Sequence, residues 1–349
     1  MKKKSVYFAS SAAILALVLS ACGGSSSGSK LSDVEYNLNG ATAQPSVAAE
    51  TPFAASGTEA YKIEDGQGEA IEDGDNLLVD ATVFSGEDLT SVASTYTEAP
   101  MIIPVGEQLK AAAPELYELL KGSKVGVSFS YSTNIDAQST STAEATPTVS
   151  AGTATNLEVY TVTGKLLKEA TGEDTNLSSP ALKEFSAPEG SPATLTLADD
   201  RGDAPTELKS EEMIKGDGAV VAATDTVYVN YVGVKWSDGE QFDGNFGSSP
   251  INFKLNSVIE GWQKGLEGKT VGSRVLIQIP SEMAYGEDTG ETGQPAGALV
   301  FVVDILATSP ERTAPEATAD PSASADASAS ANADASADAT AEASETANQ

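Results

Sequence analysis

Apolar and polar positions alternate most clearly in the last third of the chain. Val227, Val229 and Tyr231 alternate with the side chains between them, which is the period of two that a β-strand requires. Two further runs rich in branched and aromatic residues occupy residues 274–279 and 298–306. The three runs predict the principal strands of one β-rich domain.

A short helix is expected between these strands. Residues 258–266 suffice for only a short helix, and their glycines weaken it, so it needs a sheet to pack against. Asp238-Gly239 is typical of a hairpin turn. An antiparallel sheet wrapped over one short helix is an α+β fold, which is the fold class that the sequence predicts.

The same order of motifs occurs twice along the chain. Residues 63–80 match residues 214–230, with Gly and Asp at corresponding positions, and residues 121–126 match residues 267–272. The order predicts two copies of one domain with altered loops. Two unrelated β domains that share common turn chemistry are the alternative.

The N-terminus has the layout of a secretory signal peptide. Three lysines precede an apolar stretch over residues 6–19, which is too short to span a bilayer comfortably, and small residues follow. Residues 19–22 resemble the bacterial lipobox, in which the cysteine is lipidated. We therefore expect a signal peptide over residues 1–21 and a lipid anchor at Cys22. An ordinary signal peptide followed by a coincidental cysteine is the alternative.

Two segments have the composition of disordered chain. Residues 22–56 are rich in Gly, Ser, Ala, Thr and Pro and are expected to form a flexible tether. Residues 310–349 are dominated by Ala, Ser and Asp, which bury too little surface to offset chain entropy. This predicts a disordered acidic tail.

Composition excludes several kinds of chemistry. The chain has 51 acidic and 20 basic residues and a formal charge of −31, which argues against nucleic-acid binding. It has no histidine and one cysteine, so His-based catalysis, thiolate zinc sites and internal disulfides are excluded. No cofactor or metal is expected. Carboxylates, tyrosines, backbone amides and apolar shape remain available.

Six short strings together resemble the FKBP family of peptidyl-prolyl cis–trans isomerases. The resemblance covers residues 205–309 well and residues 57–168 weakly. It implies two FKBP-like domains over these ranges, each an antiparallel half-barrel sheet wrapped on a short helix, with residues 169–204 as a linker. The strings are Val229–Gly233, Gln241–Asp243, Val258–Trp262, Val271–Arg274, Ala284–Gly286 and Leu299–Phe301.

The resemblance also implies a proline-binding pocket in the second domain. Trp262 would form its floor, Tyr285 would donate its hydroxyl to the substrate carbonyl, and Asp243 would polarise the pocket. The Ile259 amide would hold a second carbonyl. The implied walls are Tyr231, Phe242, Ile251, Val258, Ile259 and Phe301. The alternative is that these aromatic residues are only core.

Isomerase chemistry suits this inventory of residues. An X–Pro bond isomerises slowly because twisting breaks amide resonance, at a cost of about 18–20 kcal/mol. The twisted amide has less charge separation than the planar one, so a dry apolar pocket favours it without a nucleophile, metal or general base.

The sequence departs from the family pattern at several positions. Ile251 stands where the family commonly has an aromatic residue, no arginine is at hand to pair with Asp243, and Gln294 replaces an apolar residue. A wetter rim is expected to weaken the binding of apolar ligands such as macrolides. In the first copy Ala81 matches Tyr231 and Leu116 lies near the tryptophan position, so that domain is expected to be degenerate.

The sequence therefore predicts a lipid-anchored, extracytoplasmic prolyl isomerase that assists the folding of secreted or envelope proteins. Its expected partners are proline-containing polypeptides that are unfolded or partly folded, and the membrane through Cys22. The alternative is a non-catalytic chaperone or surface-binding module with the FKBP shape. A solute-binding lipoprotein is disfavoured because that class needs long helices.

Overall fold

Two antiparallel sheets with the same strand order make up most of the described chain. The computed structural model describes residues 28–40, 43–133, 154–287 and 293–312, all within one compact unit. The predicted signal peptide, Cys22 and the acidic tail beyond Arg312 lie outside the described residues.

The segment before the first sheet is folded rather than a free tether. Strands β1 (Glu35–Asn37) and β2 (Ser46–Ala48) form an antiparallel hairpin. Leu31 and Phe53 are buried with Phe84 and other residues of the first sheet. The expectation of a flexible tether over residues 22–56 is therefore wrong for the described part of that segment, because a few well-spaced apolar side chains bury enough area to dock it.

The first lobe is a six-stranded sheet with two short helices packed against it. The sheet order is β3-β7-β8-β4-β5, and β6 also pairs with β4. Leu116 and Leu120 of α2 lie in the core beneath the sheet. Its elements are β3 (Glu59–Glu64), β4 (Asn76–Phe84), β5 (Ser91–Ser94), β6 (Met101–Pro104), α1 (Glu107–Ala112), α2 (Pro114–Lys121), β7 (Ser128–Ser132) and β8 (Leu157–Lys165).

The segment over residues 169–204 joins the lobes, as expected of a linker, but is itself folded. It contains β9 (Glu173–Asp174), which extends the second sheet, and a hairpin of β10 (Leu182–Ser186) and β11 (Thr194–Leu197). Leu195 and Leu197 pack on the face of the second sheet that is turned away from its helix. The hairpin thus covers an apolar face that would otherwise be exposed.

The second lobe repeats the architecture of the first. Its sheet order is β14-β13-β17-β16-β12-β9, and β15 also pairs with β13. Apart from β9, each strand has a counterpart in the order of the first sheet. Its elements are β12 (Lys209–Lys215), β13 (Thr226–Lys235), β14 (Gln241–Gly244), β15 (Ile251–Lys254), α3 (Glu260–Leu266), β16 (Arg274–Ile279) and β17 (Leu299–Ser309).

The two lobes share a buried contact. The Tyr228 hydroxyl donates to the carbonyl oxygen of Pro100 at 2.6 Å, and Tyr228 has no exposed surface. Arg312 forms an ion pair of 2.5 Å with Asp80, which is also fully buried. The contact therefore fixes the lobes against each other. None of the helices in the described part of the chain has the length and apolar character needed to cross a bilayer.

Candidate active site

Two glycines bring helix α3 unusually close to strand β16. A Cβ atom at Gly261 would lie 2.3 Å from Cγ2 of Ile279, and one at Gly265 would lie 3.0 Å from Cγ2 of Ile277. The glycines that weaken this helix in isolation therefore allow it to rest directly on the sheet. This contact sets the depth of Trp262, which is only 5 % exposed.

Trp262 lies at the centre of a cluster of aromatic rings. Its ring centroid is 5.3 Å from that of Tyr231, 5.2 Å from that of Phe301 and 5.1 Å from that of Phe253. The interplanar angles are 86°, 82° and 69°, so each partner meets Trp262 edge to face. These contacts hold the tryptophan in one orientation.

Phe242 extends the aromatic surface from the neighbouring strand. Its ring meets Phe301 edge to face at 5.6 Å. The two rings come together above Gly233, where a Cβ atom would lie 2.6 Å from Cε1 of Phe301 and 2.9 Å from Cζ of Phe242. Glycine is required at this position because any side chain would push the two rings out of place.

The polar side of the cluster is built around Asp243. The Tyr231 hydroxyl donates to Asp243 Oδ2 at 2.5 Å, and the Gly244 amide donates to Oδ1 at 2.8 Å. Burial and then the bond to Asp243 raise the pKa of Tyr231, so its hydroxyl keeps its proton at neutral pH. Within the described residues Asp243 has no ion pair.

Asn245 fixes the strand that carries Asp243. Its side-chain Oδ1 accepts the Tyr231 amide at 2.8 Å, and its Nδ2 donates to the Val229 carbonyl at 3.1 Å. Its own amide donates to the Tyr231 carbonyl at 3.0 Å. These bonds hold the chain after β14 beside β13, so Asn245 is a positioning residue. This role was not predicted from the sequence.

Tyr285 reaches the cluster from a tight loop after β16. Pro280 ends that strand, and Gly286 reverses the chain with φ of 91°, in the left-handed region that favours glycine. Burial, and then the charge of Asp243, raise the pKa of Tyr285. Among the residues that the structure describes, the Tyr285 hydroxyl has no hydrogen-bond partner, so it is free to donate to a ligand.

The start of α3 provides a second free donor. Ile259 is the residue before the helix, and its carbonyl accepts the amides of Trp262 and Gln263. Its own amide makes no hydrogen bond to a described residue. Gln263 Nε2 donates to the Val258 carbonyl at 2.7 Å, which holds the approach to the helix in place.

The structure brings all the predicted pocket residues together on the face of the second sheet against which α3 packs. Tyr231, Trp262 and Phe301 are in the buried core, and Asp243 is bonded to Tyr231. The remaining predicted residues are partly buried against them: Phe242, Ile251, Val258, Ile259 and Tyr285.

Phe253 was missed in the sequence argument, although a signal was available. It lies two residues after Ile251 on β15, so it shares the same face of the sheet. Its ring packs edge to face against Trp262. The neighbouring Ile251 is aliphatic and provides no aromatic ring.

The site therefore has an aromatic floor and walls, two free hydrogen-bond donors and one carboxylate. No group of three or more His, Cys, Asp or Glu within the described ranges is placed to hold a metal ion. The site thus combines an aromatic surface with hydrogen-bond donors and a carboxylate. The class that fold and site define is a sheet-and-helix domain with an aromatic cluster beneath its polar groups.

Comparison with known proteins agrees with this class. A model of the FKBP-type peptidyl-prolyl cis-trans isomerase family matches residues 218–306. The FK506-binding protein of Streptomyces anulatus is 40% identical over 111 residues, which are 30% of this chain and 90% of that protein. The chain belongs to the FKBP family and is a peptidyl-prolyl cis–trans isomerase.

More distant matches cover smaller parts of larger proteins. The isomerase FkpA of Escherichia coli K12 is 39% identical over 117 residues, which are 33% of this chain and 42% of FkpA. The crystal structure of FkpA from Escherichia coli matches with a TM-score of 0.28 and 36% identity, covering 31% of this chain and 52% of that one.

Proposed function

We propose that isomerisation takes place in the slot over Trp262, on X–Pro bonds of secreted or envelope proteins. The observation that carries this proposal is the edge-to-face cage of Tyr231, Phe253 and Phe301 around Trp262, next to the free hydroxyl of Tyr285. The proline ring would rest on Trp262, between the walls formed by Phe242, Ile251, Val258, Ile259 and Phe301.

Each polar group then has one task. The Tyr285 hydroxyl donates to the carbonyl of the residue before proline, and the Ile259 amide holds a second carbonyl. The Asp243 carboxylate fixes the Tyr231 hydroxyl and keeps it from competing with the substrate. The apolar walls exclude water and so favour the twisted amide, which has less charge separation than the planar one.

The first lobe is proposed to be a degenerate FKBP-like copy, so that the molecule has two half-barrel domains. Its strand order supports this assignment. Ala81 pairs with β8 where Tyr231 pairs with β17, and Leu116 of α2 lies in the core in place of a tryptophan. Without the aromatic cage this lobe lacks the isomerase site.

Refolding kinetics test the substrate class. The substrate is a secreted protein whose slow refolding phase is limited by proline isomerisation, and the full chain is added in catalytic amounts. A brief unfolding pulse, which leaves the prolines in their native isomers, is the control. We expect acceleration of the slow phase only after long unfolding. No acceleration of that phase would contradict the proposed substrate class.

A non-catalytic chaperone is the second candidate. Two departures from the family pattern favour it: Ile251 offers no aromatic ring to the site, and the partly buried Gln294 is polar where an apolar residue is usual. A chaperone would suppress aggregation of the same substrate in stoichiometric amounts and leave the slow refolding phase unchanged.

We also propose that the protein is anchored outside the cytoplasm by a lipid on Cys22. The sequence of residues 1–22 supports this location. A Cys22→Ser variant tests it: the wild-type chain should fractionate with membranes and incorporate a labelled fatty acid, and the variant should do neither. Equal labelling of both chains would contradict the proposed anchor.

A further inference from the structure

In the first lobe a glutamate, Glu158, occupies the sheet position that the aromatic residue Phe301 occupies in the second lobe. Glu158 on β8 lies in register with Val83 on one side and Tyr131 on the other. Phe301 lies in register with Gly233 and Ile277 in the same way. The two sheets have the same strand order, so Glu158 is the counterpart of Phe301.

Hydrogen bonding supports this correspondence independently of the strand register. Thr95 Oγ1 accepts the Ala81 amide at 2.9 Å, and the Thr95 amide donates to the Ala81 carbonyl at 2.9 Å. Asn245 makes the same pair of bonds to Tyr231 in the second lobe. The two lobes therefore share these hydrogen bonds to the backbone of the central strand, whereas the side chains on that side of the sheet differ.

Glu158 points to the side of its sheet against which α2 packs. Tyr160 and Val162 follow at the alternate positions of β8 and are in the core beneath the sheet. The Tyr160 hydroxyl donates to Glu158 Oε2 at 2.5 Å. The other carboxyl oxygen, Oε1, has no hydrogen-bond partner among the described residues and is not sealed from solvent.

Apolar and aromatic side chains lie on this side of the first sheet. Met101, Leu119 and Tyr131 are partly buried against the same core, and Tyr131 is the register partner of Glu158 on β7. Desolvation raises the pKa of Glu158, and burial, then the charges of Glu158 and Glu115, raise the pKa of Tyr131 to about 12. The face is therefore negative and poorly hydrated.

No cation within the described part of the chain compensates this charge. The lysines of the lobe that form ion pairs there do so with other acids, such as Lys121 with Asp73 and Lys165 with Asp75. A desolvated carboxylate without a cation is costly. A ligand that brings its own cation removes that cost.

We propose that this side of the first sheet, at Glu158, binds a lysine or arginine side chain of an extended polypeptide. The aliphatic stem would pack on Met101 and Leu119, the cation would meet Glu158 Oε1, and the Tyr131 ring would lie beside it. Charge complementarity selects this occupant, since an apolar or acidic side chain would leave the carboxylate uncompensated. The proposal does not depend on isomerase activity.

A pair of proline-free peptides tests the proposal on the full chain. One carries a central arginine and the other carries citrulline, its neutral isostere, and binding is followed by fluorescence anisotropy. A charge-assisted contact in a poorly hydrated site predicts that the arginine peptide binds at least about tenfold more tightly. Equal affinity, or no binding of either peptide, would overturn the proposal.

Two variants locate the contact. Glu158→Gln should lose the preference for arginine, whereas Glu118→Gln removes an exposed charge from α2 of the same lobe and should keep it. Retained preference in Glu158→Gln would overturn the assignment. If that variant fails to fold, the carboxyl resonance of Glu158 in the wild-type chain decides. The arginine peptide should lower the pKa of this group, and an unchanged titration would contradict the proposal.

Discussion

Replacing Gly261 with alanine tests whether the close approach of α3 to β16 positions the floor of the slot. The added Cβ atom would lie 2.3 Å from Cγ2 and 2.7 Å from Cδ1 of Ile279. Ile279 has no exposed surface, so it has no free space into which to withdraw. The helix must therefore move away from the sheet and take Trp262 with it.

The size of the effect follows from two opposing contributions. Overpacking of a dense core costs about 1–3 kcal/mol, and the better helix propensity of alanine returns at most about 1 kcal/mol. Gly265→Ala is the matched control, because its Cβ atom would lie 3.0 Å from Ile277 and needs a shift of only a few tenths of an ångström. We expect a net loss of about 1–2 kcal/mol for Gly261→Ala and a change near zero for Gly265→Ala.

Tryptophan fluorescence during urea unfolding measures both variants. The chain has two tryptophans, Trp236 and Trp262, and both are in the second lobe, so the signal reports on that lobe. Displacement of Trp262 should also lower kcat/KM for a Leu–Pro peptide by about tenfold, as positioning errors of this size do. Equal stability and activity of the two variants would refute the reasoning.

Three further predictions concern single side chains. Tyr285→Phe should lower kcat/KM by about tenfold without changing the urea midpoint, because it removes one donor to the substrate; unchanged kcat/KM would remove Tyr285 from the mechanism. Because desolvation raises the folded-state pKa of Glu158, its protonation favours the folded state, so its contribution to stability should rise as pH falls from 7 towards about 4.5. Glu158→Gln should abolish that rise, and an identical pH profile in the variant would show that another group causes it. Tyr228→Phe leaves the buried Pro100 carbonyl unpaired and should lower the free energy of unfolding in urea by about 1–3 kcal/mol. An unchanged free energy of unfolding would show that water replaces the hydroxyl.

The second lobe was largely predictable from sequence because its strands alternate clearly and its pocket residues lie in short, ordered strings. Trp262, Tyr231 and Phe301, all named from the sequence, have their rings in mutual contact. Phe253 was not predicted, although it lies on the same face of β15 as Ile251, which was.

Other features depend on tertiary contacts that no local pattern reveals. Leu31 and Phe53 are isolated in a stretch of small residues, and only docking on the first sheet buries them. The hairpin of β10 and β11 is likewise stabilised by the sheet that it covers. Glu158 lies in an apolar run, but a single acidic residue in such a run does not reveal that its side chain faces inward.

Exchange NMR on a Leu–Pro peptide, without any protease, tests most directly whether Trp262 is the floor of the isomerase slot. Trp262→Leu and Trp236→Leu remove one tryptophan each from the same lobe, so the second variant controls for the loss of a buried tryptophan as such. We predict that the wild-type chain and a folded Trp236→Leu variant accelerate cis–trans exchange, whereas a folded Trp262→Leu variant loses most of the acceleration. Full activity in Trp262→Leu would contradict the assignment of this slot as the catalytic site.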